Sequence, residues 1–336
     1  MNLVDLAQHF SDEDKAREYL ETQRWPEGVI CPHCGLVGDA YRLVAKEKTP
    51  EQKDALKKAG KRTQKARKGL WKCASCREQF TVTVGTIFED SHIPLHKWLM
   101  AIHLLCASKK GMSAHQLHRM LGMTYKSAWF MAHRIRYAMS EEPLSSKLSG
   151  IVEVDETYVG GKLKTGPRTN PDGTRNRDQL APSANKAIVV SVLQRGGRVQ
   201  SRHIDRVTSD NLRPVINQMV AEDAHLITDT STSLRSLGQD RKHGKVNHRI
   251  KEFARYEDGV CISTNTVEGY FSILKRGING VYHHVGKQHL HRYLSEFDFR
   301  YNSKNTTDGE RTQLAIKGVK GKRLMYRDST SNGKRS

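Results

Sequence analysis

Two Cys-x-x-Cys knuckles, Cys31-Pro-His-Cys34 and Cys73-Ala-Ser-Cys76, constrain this chain more than any other feature. Each knuckle sets two thiolates on one tight turn, and two such turns complete a tetrahedral sulfur shell of the kind that holds zinc. The gap between them is 38 residues, longer than the roughly fifteen to twenty usual for such modules. The excess is identifiable: residues 46–68 hold ten Lys or Arg and almost no apolar side chains. That composition predicts a solvated insertion on a loop of a zinc ribbon spanning 26–92. After the second knuckle, Phe80, Val82 and Val84 alternate with polar residues up to Gly85, as a ribbon strand does. A redox pair would not need a second knuckle. His33 lies inside the first knuckle, but four cysteines already fill the shell. With four of its six cysteines so paired, the chain does not read as an oxidised framework.

Lys and Arg outnumber Asp and Glu by 56 to 36, a net charge of +20. Such an excess points to a polyanionic partner, nucleic acid first. A membrane surface is disfavoured because no segment combines a basic face with an aromatic anchor. No run of about twenty apolar residues is present, and the N-terminus, MNLVDLAQHFSDEDKAREYL, is amphipathic and acidic. Residues 1–25 are expected to be a helical segment rather than a signal peptide, in a soluble cytoplasmic protein.

From Leu95 the period becomes helical. Trp98, Ile102, Leu105 and Cys106 form a stripe, with Cys106 as a buried small hydrophobe, and Gly111 ends it. Ser113 is placed to cap a short helix through Leu121, Gly122-Met123 to turn, and Thr124 to cap a second helix through Met139. Residues 93–140 thus outline a helix-turn-helix. The outer positions of its last helix, including Lys126, His133, Arg134 and Arg136, suit phosphate and base-edge contact. An ordinary helical hairpin with a basic solvent face has the same outline; the net charge and the neighbouring ribbon favour DNA.

After a linker, SEEPLSSKLSG, Ile151–Asp155 reads as a strand ending in carboxylates and residues 162–186 as a long loop. Ala187–Leu193 is a continuous apolar run, a strand covered on both faces, and Gly196-Gly197 turns it into a strand over Val199–Ile204. A helix follows through Leu212, Val215, Ile216 and Met219, with Pro214 expected in its first turn, and His225–Asp229 repeats the pattern of a strand ending in aspartate. In CISTNTVEGYFSILKRGING, Val267, Phe271, Leu274 and Ile278 form one helical stripe, while Glu268 and Lys275, two turns apart, share another face. Asn265 to Glu268 equally fits a capping box, with Asn265 as cap and Glu268 reaching back. The order of strands and helices makes this an α/β layered domain. If its two aspartate-bearing strands are neighbours, Asp155, Asp229 and Glu268 offer hard oxygen ligands that suit Mg²⁺.

Three segments carry a family resemblance: Val154-Asp155-Glu156-Thr-Tyr-Val-Gly-Gly161-Lys162, Asn265 to Gly277, and His289 to Asn302. They resemble the ISXO-like DDE domain of bacterial insertion-sequence transposases, which also carry a zinc ribbon like Cys31/Cys34/Cys73/Cys76 and a helix-turn-helix. The resemblance implies a multidomain α/β protein with an RNase H-like catalytic domain over 148–302. It implies Asp155, Asp229 and Glu268 as ligands of Mg²⁺ or Mn²⁺, with Lys275 as the basic residue seven positions on. DNA contacts are expected from Lys126, Arg134, Arg136, Lys275 and Arg276, and from a mobile basic tail over 303–336. The implied activity is 3′-end cleavage at terminal inverted repeats and strand transfer into target DNA, by a homodimer or larger assembly at the nucleoid. Asp229 departs from the family pattern in being followed by Thr-Ser-Thr-Ser-Leu, and some relatives use asparagine as third ligand, which keeps Asn265 beside Glu268 as a candidate. A non-cutting DNA-binding regulator and a nuclease without strand transfer are the alternatives. His283, His284, His289 and His291 read as packing or phosphate contacts rather than ligands.

Overall fold

The computed structural model of the 336-residue chain describes residues 4–5, 8, 10–44, 49–60, 68–140, 147–160, 171–174, 186–230 and 241–326. Helix α1 (Glu13–Arg24) starts where Asp12 accepts the Lys15 amide, with Glu13 and Asp14 in its first turn; both features stabilise a helix N-terminus. The ribbon is an antiparallel sheet in the order β1 (Ala40–Leu43), β2 (Leu70–Cys73), β3 (Gln79–Phe80). Strand β3 is only two residues long, shorter than the alternation through Val84 predicts. Its pairing stops because Arg24 donates to the Val82 and Val84 carbonyls and the Val84 amide turns back to Thr81. The described part of the basic insertion is helical rather than a loop. Thr49 and Gln52 form a capping box that starts helix α2 (Pro50–Lys58), exposed along most of its length.

Helices α3 (Leu95–Ala107), α4 (Ala114–Leu121) and α5 (Tyr125–Met139) follow the sequence reading closely. Ser113 and Thr124 accept the Gln116 and Ser127 amides, and Gly122 closes α4 in the left-handed region at φ +57°, where a side chain is disfavoured.

The central sheet has the order β6 (Val199–Ile204), β5 (Ala187–Gln194), β4 (Ile151–Val159), β7 (His225–Asp229), β8 (His243–Val246). Strands β4, β5 and β6 are antiparallel neighbours, whereas β7 and β8 run parallel to β4. One face packs Val152, Val154 and Val192 on Leu212 and Ile216 of helix α6 (Ser209–Met219). The other packs Val189 and Leu193 on helix α7 (Asn265–Gly277) and, past a short π-turn, helix α8 (Lys287–Asn302). Thr208 caps α6 at Ser209, so Pro214 falls in its second turn, not its first, and the bond it would donate to Asp210 is not made. A separate hairpin, β9 (Arg255–Glu257) and β10 (Val260–Ile262), lies between β8 and α7.

Residues 303–326 correct the expectation of a mobile tail. Helix α9 (Asp308–Lys317) is capped by Thr307 and Glu310, and it buries Ala315 and Ile316 in the core that α1, α3 and α5 share with the ribbon. The Gly321 amide then bonds Gly85 of the ribbon. Average composition hid this, because Ala315 and Ile316, with Val319 just past the helix, are enough to dock a short helix among basic neighbours. The loop expected over 162–186, residues 141–146 of the linker and the end of the tail beyond 326 lie largely or wholly outside the described residues.

Candidate metal centre and active site

In the ribbon, the Sγ atoms of Cys31 and Cys76 are 3.6 Å apart and those of Cys34 and Cys73 are 3.7 Å apart. All four lie within 4.8 Å of one another. A zinc ion with Zn–S bonds of about 2.3 Å needs tetrahedral sulfurs about 3.8 Å apart, so the shell fits the ion. Burial opposes ionisation of Cys31. The backbone amides of Cys34 and His33, with the neighbouring thiols, outweigh it and bring that thiol down to about 7, while the same thiol neighbours push Cys34 and Cys76 up, so Cys31 is the thiolate that forms first in the metal-free cluster. His33 stands apart from the shell, with its ring against Phe80.

The second site forms at the junction of β4 and β7. Their parallel register puts Glu153 beside Ile227, so two residues further Asp155 comes alongside Asp229, on the sheet face that α7 covers. Burial, then Glu156, then Asp229 and Glu268 push the Asp155 carboxyl up to about 8, against a stabilising bond from the Glu156 amide. Asp155 thus feels the charge of both other expected acids, and the buried Oε2 of Glu156 has no hydrogen-bond partner. The three expected acids are held less tightly than the cysteines, which among the described residues are the cluster with converging ligand atoms. Glu268 is turned toward its own helix entry: its Oε1 accepts from Thr264 Oγ1 at 3.0 Å and lies 3.2 Å from His248 Nε2.

The sequence reading missed the residue that sets α7. Glu153, fully buried, accepts the Thr266 amide at 2.9 Å, the Val267 amide at 3.0 Å and the Thr266 hydroxyl at 2.9 Å. It also pairs with Arg195 at 2.7 Å, whose guanidinium bonds the carbonyls of Cys261 and Ser263. One carboxylate thus caps α7 from the central strand. The capping-box alternative is corrected accordingly: Thr264 is the N-cap residue, it makes no side-chain cap bond, and Asn265 is an exposed first residue of the helix. The available signal was Glu153 standing between Val152 and Val154, two positions from Asp155, which alternation sends to the α7 face.

The structure divides the expected DNA contacts. Lys275 and Arg276 are exposed on the last turn of α7, Arg276 bonding back to Ser272. Lys126 is exposed at the start of α5, over the Tyr326 ring. Arg134 and Arg136 are corrected: both are buried and cannot reach a phosphate. Arg134 donates to the carbonyls of Ile87, Glu89 and Leu324. Arg136 pairs at 2.5 Å with Glu296, itself fully buried, and lies over the Tyr293 ring. The part of the expected DNA-facing stripe that holds His133 and Arg136 is covered by α8, and Arg134 by the chain at Ile87–Glu89 and Leu324.

A four-thiolate ribbon and a mixed α/β domain with two aspartates on adjacent parallel strands are the parts that the comparisons with known proteins match. Residues 147–302 match the ISXO2-like transposase domain and residues 11–79 the transposase zinc-ribbon domain. The chain belongs to the insertion-sequence transposases that combine these two domains. An uncharacterized protein in transposable element ISH50 of Halobacterium salinarum is 25% identical over 305 residues, covering 87% of this chain and 91% of the relative. A cryoEM structure of the simian T-cell lymphotropic virus intasome in complex with PP2A regulatory subunit B56 gamma is 13% identical, with a TM-score of 0.25. The match covers 57% of this chain and 66%, just under two thirds, of that one, and a likeness so slight carries no argument. Among the described residues no helix is long and apolar enough to cross a membrane.

Proposed function

We propose that this transposase cuts the terminal inverted repeats of its insertion sequence and joins the freed ends to target DNA, using Asp155, Asp229 and Glu268. The observation that best supports this is the parallel pairing of β4 with β7, which brings two aspartates together on the face beneath α7. The strand order, with an antiparallel β4–β5–β6 meander flanked by parallel β7 and β8, supports the RNase H-like reading. An all-oxygen donor set around Asp155, whose carboxyl is raised first by burial and then by its acidic neighbours, is suited to Mg²⁺ or Mn²⁺. When bound, such an ion supplies Lewis acidity and offsets the charge that develops on the phosphoryl oxygens.

The chain's own residues do the rest. Glu153 and Arg195 hold the entry of α7, so Glu268 is presented from a fixed helix, and Lys275, two turns on, meets the phosphate backbone with Arg276. Water attacks the phosphodiester in the first step, forming one P–O bond as the P–O3′ bond breaks and leaves a 3′-hydroxyl. That hydroxyl, losing its proton, attacks a target phosphodiester in the second step, and the target 3′ oxygen leaves. Both are the same exchange with different nucleophiles, so one site serves both. Helices α4 and α5 are read as a DNA-binding helix-turn-helix that contacts DNA through the exposed start of α5, with Tyr125 and Lys126, the end from which recognition helices reach base edges. Bringing two ends together requires at least a dimer on DNA.

The test is radiolabelled DNA carrying the element's own end, with Mg²⁺, and wild type beside Asp155→Ala, Glu268→Ala and Asn265→Ala. Nicked and joined products lost with Asp155 and Glu268 but kept with Asn265 are expected. Loss with Asn265 and survival of Glu268→Ala would move the third ligand to the asparagine. Nicking without joining would identify a nuclease, and specific binding without cutting a regulator.

A further inference from the structure

Between β8 and α7, over residues 250–256, three large apolar side chains stand in water: Ile250 is 71% exposed, Phe253 60% and Tyr256 79%. Few other large apolar side chains in the described chain are as open, and here they come from one short stretch rather than scattered sites. The stretch is braced from below. Glu252 accepts the Asn247 amide at 2.9 Å and pairs with Arg255 at 3.0 Å, and Arg255 also holds Glu257 and the Lys245 carbonyl. The rings are thus displayed by a fixed turn and hairpin. The surroundings are basic, with six Lys or Arg against two acids over residues 241–257. The position matters as much as the chemistry. The Phe253 ring lies 6.0 Å from the imidazole of His248, and His248 Nε2 lies 3.2 Å from the Glu268 carboxylate.

We infer that Phe253 and Tyr256 form a shelf on which an unpaired base of the DNA strand end stacks, beside the acid that acts on that strand. The inference rests on the proposed function for its location. The chemistry of the occupant follows from the surface. Basic flanks select a polyanion, and flat exposed rings select a partner with π-faces; a nucleic acid has both. Within a duplex those faces are covered by neighbouring bases, so the base that stacks here is frayed or turned out of the helix. A second copy of this chain is the poorer occupant, because it would bring the same basic surface against itself. Each stacked base adds sequence-tolerant affinity, which suits a strand end that must be held through both cutting and joining.

The probes are a single-stranded oligonucleotide with an internal 2-aminopurine and a fully paired duplex of the same sequence, each titrated with the full-length protein in EDTA-treated buffer to which only zinc is restored. Wild type is expected to quench 2-aminopurine fluorescence on the single strand. The Phe253→Ala/Tyr256→Ala protein is expected to lose the quench and bind the single strand at least tenfold more weakly, about 1.4 kcal/mol, with duplex affinity within twofold. Tyr256→Phe, which keeps the ring, should retain both quench and affinity, and matched melting curves show that the double variant is folded. Equal quench and equal single-strand affinity in wild type and double variant would overturn the shelf. So would sedimentation showing a wild-type dimer that the double substitution dissociates without changing DNA affinity, since a second copy would then cover the face. Because no Mg²⁺ or Mn²⁺ is present, the result is independent of cutting. Quench retained by a protein that never cuts DNA would leave the shelf standing and remove the catalytic reading, whereas cutting without quench would remove the shelf alone.

Discussion

Glu153 offers the sharpest test of how the site is held, and the perturbation is Glu153→Gln. The substitution keeps the shape and one carbonyl oxygen for the Thr266 and Val267 amides. It turns an NH₂ group toward Arg195 Nη2, 2.7 Å away, and removes the charge that faces the α7 N-terminus. Breaking a buried ion pair costs about 3–5 kcal/mol. Arg195 is 26% exposed and keeps its bonds to the Cys261 and Ser263 carbonyls, so the lower end, ~3 kcal/mol, applies. Unfolding entropy of about 2.1 cal/mol/K per residue converts that to ~4 °C if all 336 residues melt together, and to ~9 °C if the domain over 147–302 melts alone. Calorimetry measures the shift, and hydrogen exchange at the Thr266 and Val267 amides should show protection lost first there. A cycle with Arg195→Met should return a coupling of at least ~1 kcal/mol. A Glu153→Gln protein melting within about 1 °C of wild type, or amides still protected, would refute the claim that this carboxylate caps α7.

Three further outcomes follow from the same geometry. The folded-state pKa of Asp155, about 8, lies above its ordinary value, so the metal-free protein binds that proton more tightly folded than unfolded and loses stability as pH rises from about 4 toward 8. Asp155→Asn should therefore stabilise metal-free protein by an amount that grows over that range, on the order of 2–4 kcal/mol near its top, read by melting at each pH; a pH-independent difference would contradict this. Cys73→Ser, or chelation of zinc, should unfold the ribbon while the central sheet survives, read by metal release together with protection of amides in β1 and β2 against those in β5. Gly277→Ala should destabilise by ~1–3 kcal/mol despite its better helix propensity, because the added Cβ would lie 2.2 Å from Phe297 Cζ and 2.8 Å from the Lys110 carbonyl; a melting temperature at or above wild type would show that α8 gives way.

The sequence by itself determined the features whose partners lie within a few residues or recur at a fixed period. The thiolate turns at Cys31/Cys34 and Cys73/Cys76, the caps at Ser113 and Thr124, the tight turn at Gly122 and the doubly covered strand over Ala187–Leu193 were all legible, since each is fixed by local geometry or by periodic burial. The tertiary structure decided which polar groups those elements turn inward. Arg134 and Arg136 look like solvent-facing cations on α5 until the Ile87–Glu89 and Leu324 carbonyls take up the first and Glu296 of α8, 160 residues away, pairs with the second. Glu153 looks like one more strand-end acid until α7 arrives, 113 residues on, with two free amides. The closeness of Asp155 to Asp229 depends on β7 entering beside β4 in parallel register, and the docking of α9 depends on a core built from the other end of the chain. Charge and hydrogen bonding are local in space rather than in sequence, so a carboxylate's role is set by whichever helix or guanidinium the fold brings within about 3 Å of it.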